Sequence, residues 1–579
     1  MMNGKSKTGM TVAAAVTLLA MASPMAFAGV KPQQQAVTQK NVLSQSANGA
    51  SGVAQLQDYG NGTPKDPGTV VGQSQANTSS LGSLQTAKYR GVTNATQDAN
   101  GSTNVGQQET GATSASQSQK GNWTFLSDQN QHAVNTTKSV QSANGAIGVA
   151  GYNTQESANN TGLAQSQKLG ASFLGLQSQS FVNHTLSGQR ADGSVDAYQN
   201  QENTTNGKQA QSSFFSMTGQ DQRTAVVTAG GQSAEGANGS VQGQTTSTAS
   251  AQTQKAAFSG AEQSQFDAVL NLSGQQADGS TETLQDQNDT NGAVQQQKSL
   301  GGMATQTQAS GVANLGGQSA EHATGTIQGQ SNTYAAEQSQ GRVGRGYLPQ
   351  TQASGNLNVD LQSADGSVNS EQYQTTSTGS TQRQIGLGGD RSQTQIGGAI
   401  NVGLQSAEGS NGQYQSQSNS NDLGQAQTNL GSDSHQTQAA GVLNVDGQQA
   451  NGSTGQIGDN SADGQYQINQ SGITQSQTST SGSDTAQHQT AGIANLAGQR
   501  ANGATNVTQV QTTGTNIMQT QSAHNASIGQ GQSAATANVS GQQANGSTDT
   551  TQSQSGSTTV IQSQDASNSS SADGISIWS

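Results

Sequence analysis

The stretch QSAEGSNGQYQSQSNSNDLGQAQTNLGSDSHQTQAAGVLNVDG, residues 405–447, holds three pairs of glutamines two residues apart: Gln415 and Gln417, Gln425 and Gln427, Gln436 and Gln438. Two residues is the period of a β-strand, so both members of a pair share one face. The pairs recur about every eleven residues, a rhythm that predicts strand, turn, strand, turn.

The same phase returns at Gln448 and runs through the chain. Anchored on a glutamine, any residue, alanine triplet, units start at Gln45, Gln97, Gln141, Gln189, Gln232, Gln275, Gln318, Gln362, Gln405, Gln448, Gln499 and Gln542. The period is 43 residues, with a few insertions. Pairs keep their offsets: Gln242 with Gln244 and Gln252 with Gln254 follow Gln232, while Gln285 with Gln287 and Gln306 with Gln308 follow Gln275. A merely glutamine-rich disordered tract has no reason to hold such offsets. No proline interrupts a pair, as a backbone ladder requires, because proline lacks the N–H.

After the anchor come Asp192 and Gly193, Asp278 and Gly279, Asp365 and Gly366, or Glu408 and Gly409, which supply the positive φ angles of tight turns. The strand before the turn has two faces. Asn314, Gln318 and Ala320, or Asn444, Gln448 and Ala450, share one parity; Leu443 with Val445, Leu357 with Val359, or Ile400 with Val402 take the other. Sequence leaves open which face is interior.

The expected fold is all-β: a repetitive β-solenoid or cross-β stack of about 12 units of 43 residues, with four short strands, hence two coils, per unit. At a strand spacing of about 4.7 Å, some 24 coils make a rod on the order of 110 Å long. Stacking sets equivalent amides above one another, so each donates to one neighbour and accepts from the other. The candidate self-assembly ladder comprises Gln232, Gln242, Gln244, Gln252, Gln254, Gln275, Gln285, Gln287, Gln306, Gln308, Asn314, Gln318, Gln362, Gln405, Gln415, Gln425, Gln436, Asn444 and Gln448. Uncapped ends of such a rod recruit further strands.

Composition narrows function. Of 579 residues only 29% are hydrophobic, 3% aromatic and 9% charged, which argues against a conventional core. The net charge of −13 and the lack of a basic stripe disfavour nucleic-acid binding. With no cysteine there are no disulfides, thiolate metal sites or thiol nucleophiles.

Residues 1–28 read as a secretory signal: Lys5 and Lys7, an apolar run from Thr11 to Met21, and Ala26, Phe27, Ala28 at the cleavage site. No later segment is apolar enough to span a bilayer. Residues 29–44 form an N-terminal leader segment, in which Gln33 and Gln35 equally fit a first glutamine pair. Residues 45–564 are the repeats, with an insertion at 58–72, and 565–579, with Ile575, Ile577 and Trp578, a tail or cap.

Six histidines, at 132, 184, 322, 435, 488 and 524, share neither metal-ligand spacing nor repeat phase, and no nucleophile sits with a plausible base. No enzyme activity, cofactor or metal is expected. Asp192, Glu235, Asp278, Glu321, Asp365 and Glu408 hold one position in six units, a column with members about 9 to 10 Å apart in the two-coil unit. It reads as solubilising turn residues, or alternatively a weak calcium-binding edge, and mild acid is expected to speed assembly.

The leader, a mature start in GVKPQ, and units such as QTQASGVANLGGQ, Gln306 to Gln318, resemble curlin, the subunit of bacterial curli. The curlin ladder residues map onto Gln308, Asn314 and Gln318. The resemblance implies secretion through an outer-membrane pore, a nucleating minor subunit, homopolymerisation at the cell surface, and a part in biofilm and adhesion. A monomeric β-solenoid adhesin and a disordered, hydrated matrix protein are the alternatives.

Overall fold

The computed structural model describes residues 31–578 apart from 47–53, 61–70, 99–105, 143–152, 171, 259–260, 302–303, 345–347, 389–390, 410, 431–433, 452–462, 481–483, 503–506, 525–526, 546–550 and 568–574. Every regular element among them is a β-strand. Residues 1–28, read as a secretory signal, lie outside the described residues, as does most of the insertion.

The all-β solenoid stands, but the unit is built from two long strands, not four short ones. Asn238–Ala257 carries both Gln242 with Gln244 and Gln252 with Gln254 on one uninterrupted strand. Ala261–Gln276 then carries Gln263, Gln265 and Gln275. Burial alternates without a break along Thr281–Leu300. The reason is local: between the pairs lie Thr246, Thr248 and Ser250, which suit an extended backbone. Chain reversal occurs only at the unit's two ends. Positive φ falls at Gly193, Gly236, Gly279, Gly366 and Gly409 at one end, with His322 (φ 54°) standing in for glycine, and at Gly301 and Gly388 at the other.

Each strand pairs in parallel with the strand one unit on, so one 43-residue unit is one coil. Two sheets result. The anchor sheet runs through Ser172–Arg190, Ser216–Ser233, Ala261–Gln276, Ala304–Ser319, Leu348–Ser363, Arg391–Glu408, Ser434–Asn451, Asp484–Asn502 and Ser527–Asn545. The facing sheet runs from Asn153–Leu169 to Thr551–Ser567. Some twelve coils at about 4.8 Å make the stack on the order of 58 Å long, half the expected length. The acidic column closes up correspondingly, to about one strand spacing between members.

Most of the expected leader joins the array: Lys31–Ser46 pairs with Val71–Asp98, placing Gln33 beside Gln85 and so in the glutamine register. At the other end Ile575–Trp578 pairs with Gln532 to Ala535 and begins a further anchor-sheet strand.

Register settles the interior face. Gln318, Asn314 and Ala320 point inward, whereas Leu315, Leu357, Leu361 and Ile400 face solvent. The apolar interior reduces to two clusters of mid-strand residues, one around Val226, Val269 and Val312, the other around Leu423, Ile473 and Ile517. Most other inward positions are glutamine, asparagine, threonine and serine.

Candidate functional site: amide ladders and an open end

Amides can fill an interior only when their hydrogen bonds are met, because an unsatisfied buried amide costs about 1–3 kcal/mol. Here the repeat meets them. In the anchor column Gln275 donates to Gln232 Oε1 at 2.7 Å, Gln318 to Gln275 at 2.6 Å, Gln362 to Gln318 at 2.7 Å, Gln405 to Gln362 and Gln448 to Gln405 at 2.8 Å. The second N–H staples the sheets together: Gln318 Nε2 also donates to the Gly329 carbonyl at 2.9 Å, around the corner on the facing sheet. Glutamine pairs therefore flank both corners of each coil.

The other expected ladder residues fall in equivalent columns. Gln285 donates to Gln242, Gln295 to Gln252, and Gln297 to Gln254. Gln306 and Gln308 donate to Gln263 and Gln265. Gln415 donates to Gln372, Gln425 to Gln382 and Gln436 to Gln393. Gln244 and Gln287 are buried in register but do not bond to each other: the Gln244 amide has no partner, and Gln287 Nε2 goes to Ser273 Oγ.

Direction is uniform. Wherever two glutamines of a column bond, the later copy donates to the earlier one, down to Gln552, Gln554, Gln562 and Gln564, which donate to Gln509, Gln511, Gln519 and Gln521. The central asparagine column runs the other way: Asn271 donates to Asn314, Asn314 to Asn358, Asn401 to Asn444 and Asn444 to Asn495. The two kinds of ladder thus set opposed rows of dipoles side by side.

Sequence reasoning missed the buried carboxylates. Asp267, Asp289, Asp360 and Asp446 all point into the interior. Burial pushes Asp267, Asp360 and Asp446 up to about 7 from the ordinary 3.8, and raises Asp289 as well. Asn332 donates to Asp360 Oδ1 at 2.5 Å and Asn419 to Asp446 Oδ1 at 2.7 Å, so amides hold these carboxyls. The signal was available: Asp446 is two residues from both Asn444 and Gln448, in the parity of the amide face.

The turn acids have a structural task. Asp278 Oδ1 accepts from Ser319 Oγ and from the Glu321 backbone N–H, both at 3.0 Å, and Asp365 Oδ1 accepts from the Glu408 N–H at 3.0 Å. Carboxylates thereby cap the next coil's turn. No three His, Asp or Glu among the described residues are grouped to hold a metal ion.

Among the described residues, Thr551–Ser567 pairs only with Val507–His524, and residues 551–565 are mostly exposed. Gln562 Oε1, the next acceptor in its column, has no partner. The fold and its site define a parallel β-solenoid whose interior is an amide ladder, with an unused acceptor on the last described strand of the facing sheet. Compared with known proteins, the chain matches no family model, no curated protein and no solved structure.

Proposed function

We propose that the chain is a secreted structural subunit that self-assembles end to end into extracellular, curli-like amyloid fibres, contributing to biofilm matrix and surface adhesion. The observation that carries this is the single direction of the glutamine columns. A column whose later member donates ends in unused Oε1 acceptors, as at Gln562, and a second copy laid on that end in the same direction supplies the donors. The two ends of one chain are then complementary, and a second copy continues every ladder in register. A β-solenoid built this way serves as scaffold and not as an enzyme. Export through an outer-membrane pore and nucleation by a minor subunit belong to the same reading.

Incubating purified residues 29–579 tests it. Fibres with a meridional spacing near 4.8 Å, extended by sonicated seeds, are expected. A stable monomer with a strand-type circular dichroism spectrum sinks the proposal and favours the capped adhesin. That second reading draws on Ile575–Trp578, which covers part of the last anchor-sheet edge and sets Ile575 beside Gln532, where the column would take a glutamine. Deleting residues 575–579 separates the two: faster elongation follows from a partial cap on a growing end.

A further inference from the structure

The outward faces of the two sheets differ. On the facing sheet, exposed Glu202, Lys208, Asp286, Lys298, Arg383 and Asp422 are scattered among Thr, Ser and Asn. On the anchor sheet, four adjacent outward columns from Ser172–Arg190 to Ser527–Asn545 contain no Asp, Glu, Lys or Arg. Two of them form an aliphatic ridge, in which Leu186, Leu272, Leu315, Leu357, Ile400 and Leu496 are 37–47% exposed. The column beside the ridge is largely glycine, and a Cβ added at Gly188, Gly231, Gly274, Gly317 or Gly541 would meet nothing within 4 Å. The surface is thus a ridge next to an open groove, bordered by the polar column of Gln276, Ser319, Ser363 and Ser406.

We infer that this face pairs two copies of the chain side by side, parallel and in register, with the ridge of each in the groove of the other. Period selects the partner: the columns repeat at the strand spacing, and a second copy carries the same repeat. Shape agrees. A two-fold axis parallel to the stack lays the ridge column holding Leu315 over the groove column holding Gly317, and the reverse contact follows by symmetry. Where the ridge residue is Leu272, Leu315 or Leu496, its groove neighbour is Gly274, Gly317 or Gly498; where the groove holds Leu361 or Leu404, the ridge residue is Val359 or Val402. Area agrees too: the four columns this axis overlays, from that of Leu357 to that of Ser363, span nine strands by about 20 Å of strand length, about 850 Å² per copy, the size of a standard stable interface. The parallel arrangement leaves the ends of both copies pointing the same way.

Sedimentation velocity of the unaltered soluble chain tests this without reference to fibres. A dimer is expected, and a monomer at all concentrations overturns the proposal. The triple variant Leu272→Lys, Leu315→Lys, Leu496→Lys changes exposed side chains only, and its dimerisation is expected to weaken at least about tenfold, since three buried charges would lie over the partner's glycine groove. Asn288→Lys, Thr290→Lys, Thr375→Lys on the facing sheet should dimerise like the unaltered chain. Equal dimerisation of the ridge variant, verified as folded by circular dichroism, overturns the inference, as does capture of the unaltered monomer by lipid vesicles without dimer formation. In fibres, mass per length from scanning transmission electron microscopy should fall twofold in the ridge variant, and an unchanged value counts against the pairing.

Discussion

One interior column of the facing sheet behaves differently in its two halves. From Gln374 onward it is continuous: Gln417 donates to Gln374 at 2.8 Å, Gln467 to Gln417 at 3.0 Å, Gln511 to Gln467 and Gln554 to Gln511 at 2.9 Å. Between Gln244 and Gln330 the backbone register is the same, yet the amides do not join, and Gln244, Gln287 Oε1 and Gln330 Nε2 lack partners. The difference lies two residues along the strand. Asp289 accepts from Ser273 Oγ at 3.1 Å, and Gln287 Nε2 has turned to that same hydroxyl, leaving Gln244 Oε1 behind. In the continuous half the matching positions are the neutral Asn419 and Asn469. Backbone stacking sets the register of a ladder. A carboxylate two residues along the same strand, as Asp289 is from Gln287, draws the amide away, whereas Asp446 across the interior is held by Asn419 and leaves the bond from Gln417 to Gln374 closed.

Titration breaks the comparison most strongly. Asp267, Asp360 and Asp446 titrate at about 7 in the folded chain and near 3.8 when unfolded, and Asp289 is also raised. Between those values the native state holds more protons, so stability rises as pH falls from about 7 to about 4 and is flat below. Asp267, Asp360 and Asp446 each contribute on the order of 4 kcal/mol to the penalty above pH 7. Asp289 and Asp360 sit close enough to repel, so the broken half gains most from acid. Unfolding free energies from urea titrations between pH 8 and pH 4 are expected to climb by several kcal/mol as the pH falls, and a free energy that drops over that range contradicts the burial of these groups. Under the proposed end-to-end assembly, acid would act by this route as well as through the turn column.

Exchanging one residue between the halves should exchange their behaviour. Asp289→Asn removes the competing charge and lets Gln287 return to Gln244, with an expected gain of about 3 kcal/mol at pH 7.5 from several buried groups newly satisfied. Asn469→Asp, beside Gln467, should cost about the same. Thermal or urea unfolding at fixed pH measures both. Opposite signs support the account, and two losses would mean that local packing around Asp289 matters more than the ladder.

Much of this was legible in the sequence, and the parts that were not share a cause. The period, the parity of the amides and the turns at Asp192 with Gly193 or Asp278 with Gly279 all follow from residues that repeat. The strand count did not, because glutamine pairs recur about every eleven residues whether a corner or the middle of a strand lies between them. Gln318 and Gln328 flank a corner, whereas Gln328 and Gln338 share Thr324–Val343. Turn chemistry misleads at the same place: Asn291 with Gly292 is an Asn-Gly pair inside Thr281–Leu300, where Asn291 donates to Asn314 Oδ1 at 2.8 Å. The interior face was undecidable from hydrophobicity because it inverts the usual rule. Leu443 and Val445 lie outward because, inward, Asn444 donates to Asn495 and Gln448 accepts from Gln499, a preference carried by neighbours in the next coil.

The smallest expected effect sharpens the same contrast with one methyl group. Gly230 and Gly403 occupy one anchor-sheet column, opposite the broken and the continuous stretch respectively. A Cβ at Gly230 would meet Gln244 Nε2 at 2.0 Å, and one at Gly403 would meet Gln374 Oε1 and Gln417 Nε2, each at 3.0 Å. Contact distance alone predicts that Gly230→Ala is worse. Hydrogen bonding predicts the reverse: the Gln244 amide has no bond to lose and can swing aside, whereas at Gly403 the methyl presses on both partners of a 2.8 Å ladder bond. Alanine lowers the entropy of the unfolded chain equally at both sites, so that contribution cancels in the difference. Gly403→Ala is therefore expected to be less stable than Gly230→Ala by about 1 kcal/mol, the net worth of one buried hydrogen bond. Paired urea titrations resolve a gap of that size, and the opposite order would place steric packing above ladder continuity as the force that holds the coils in register.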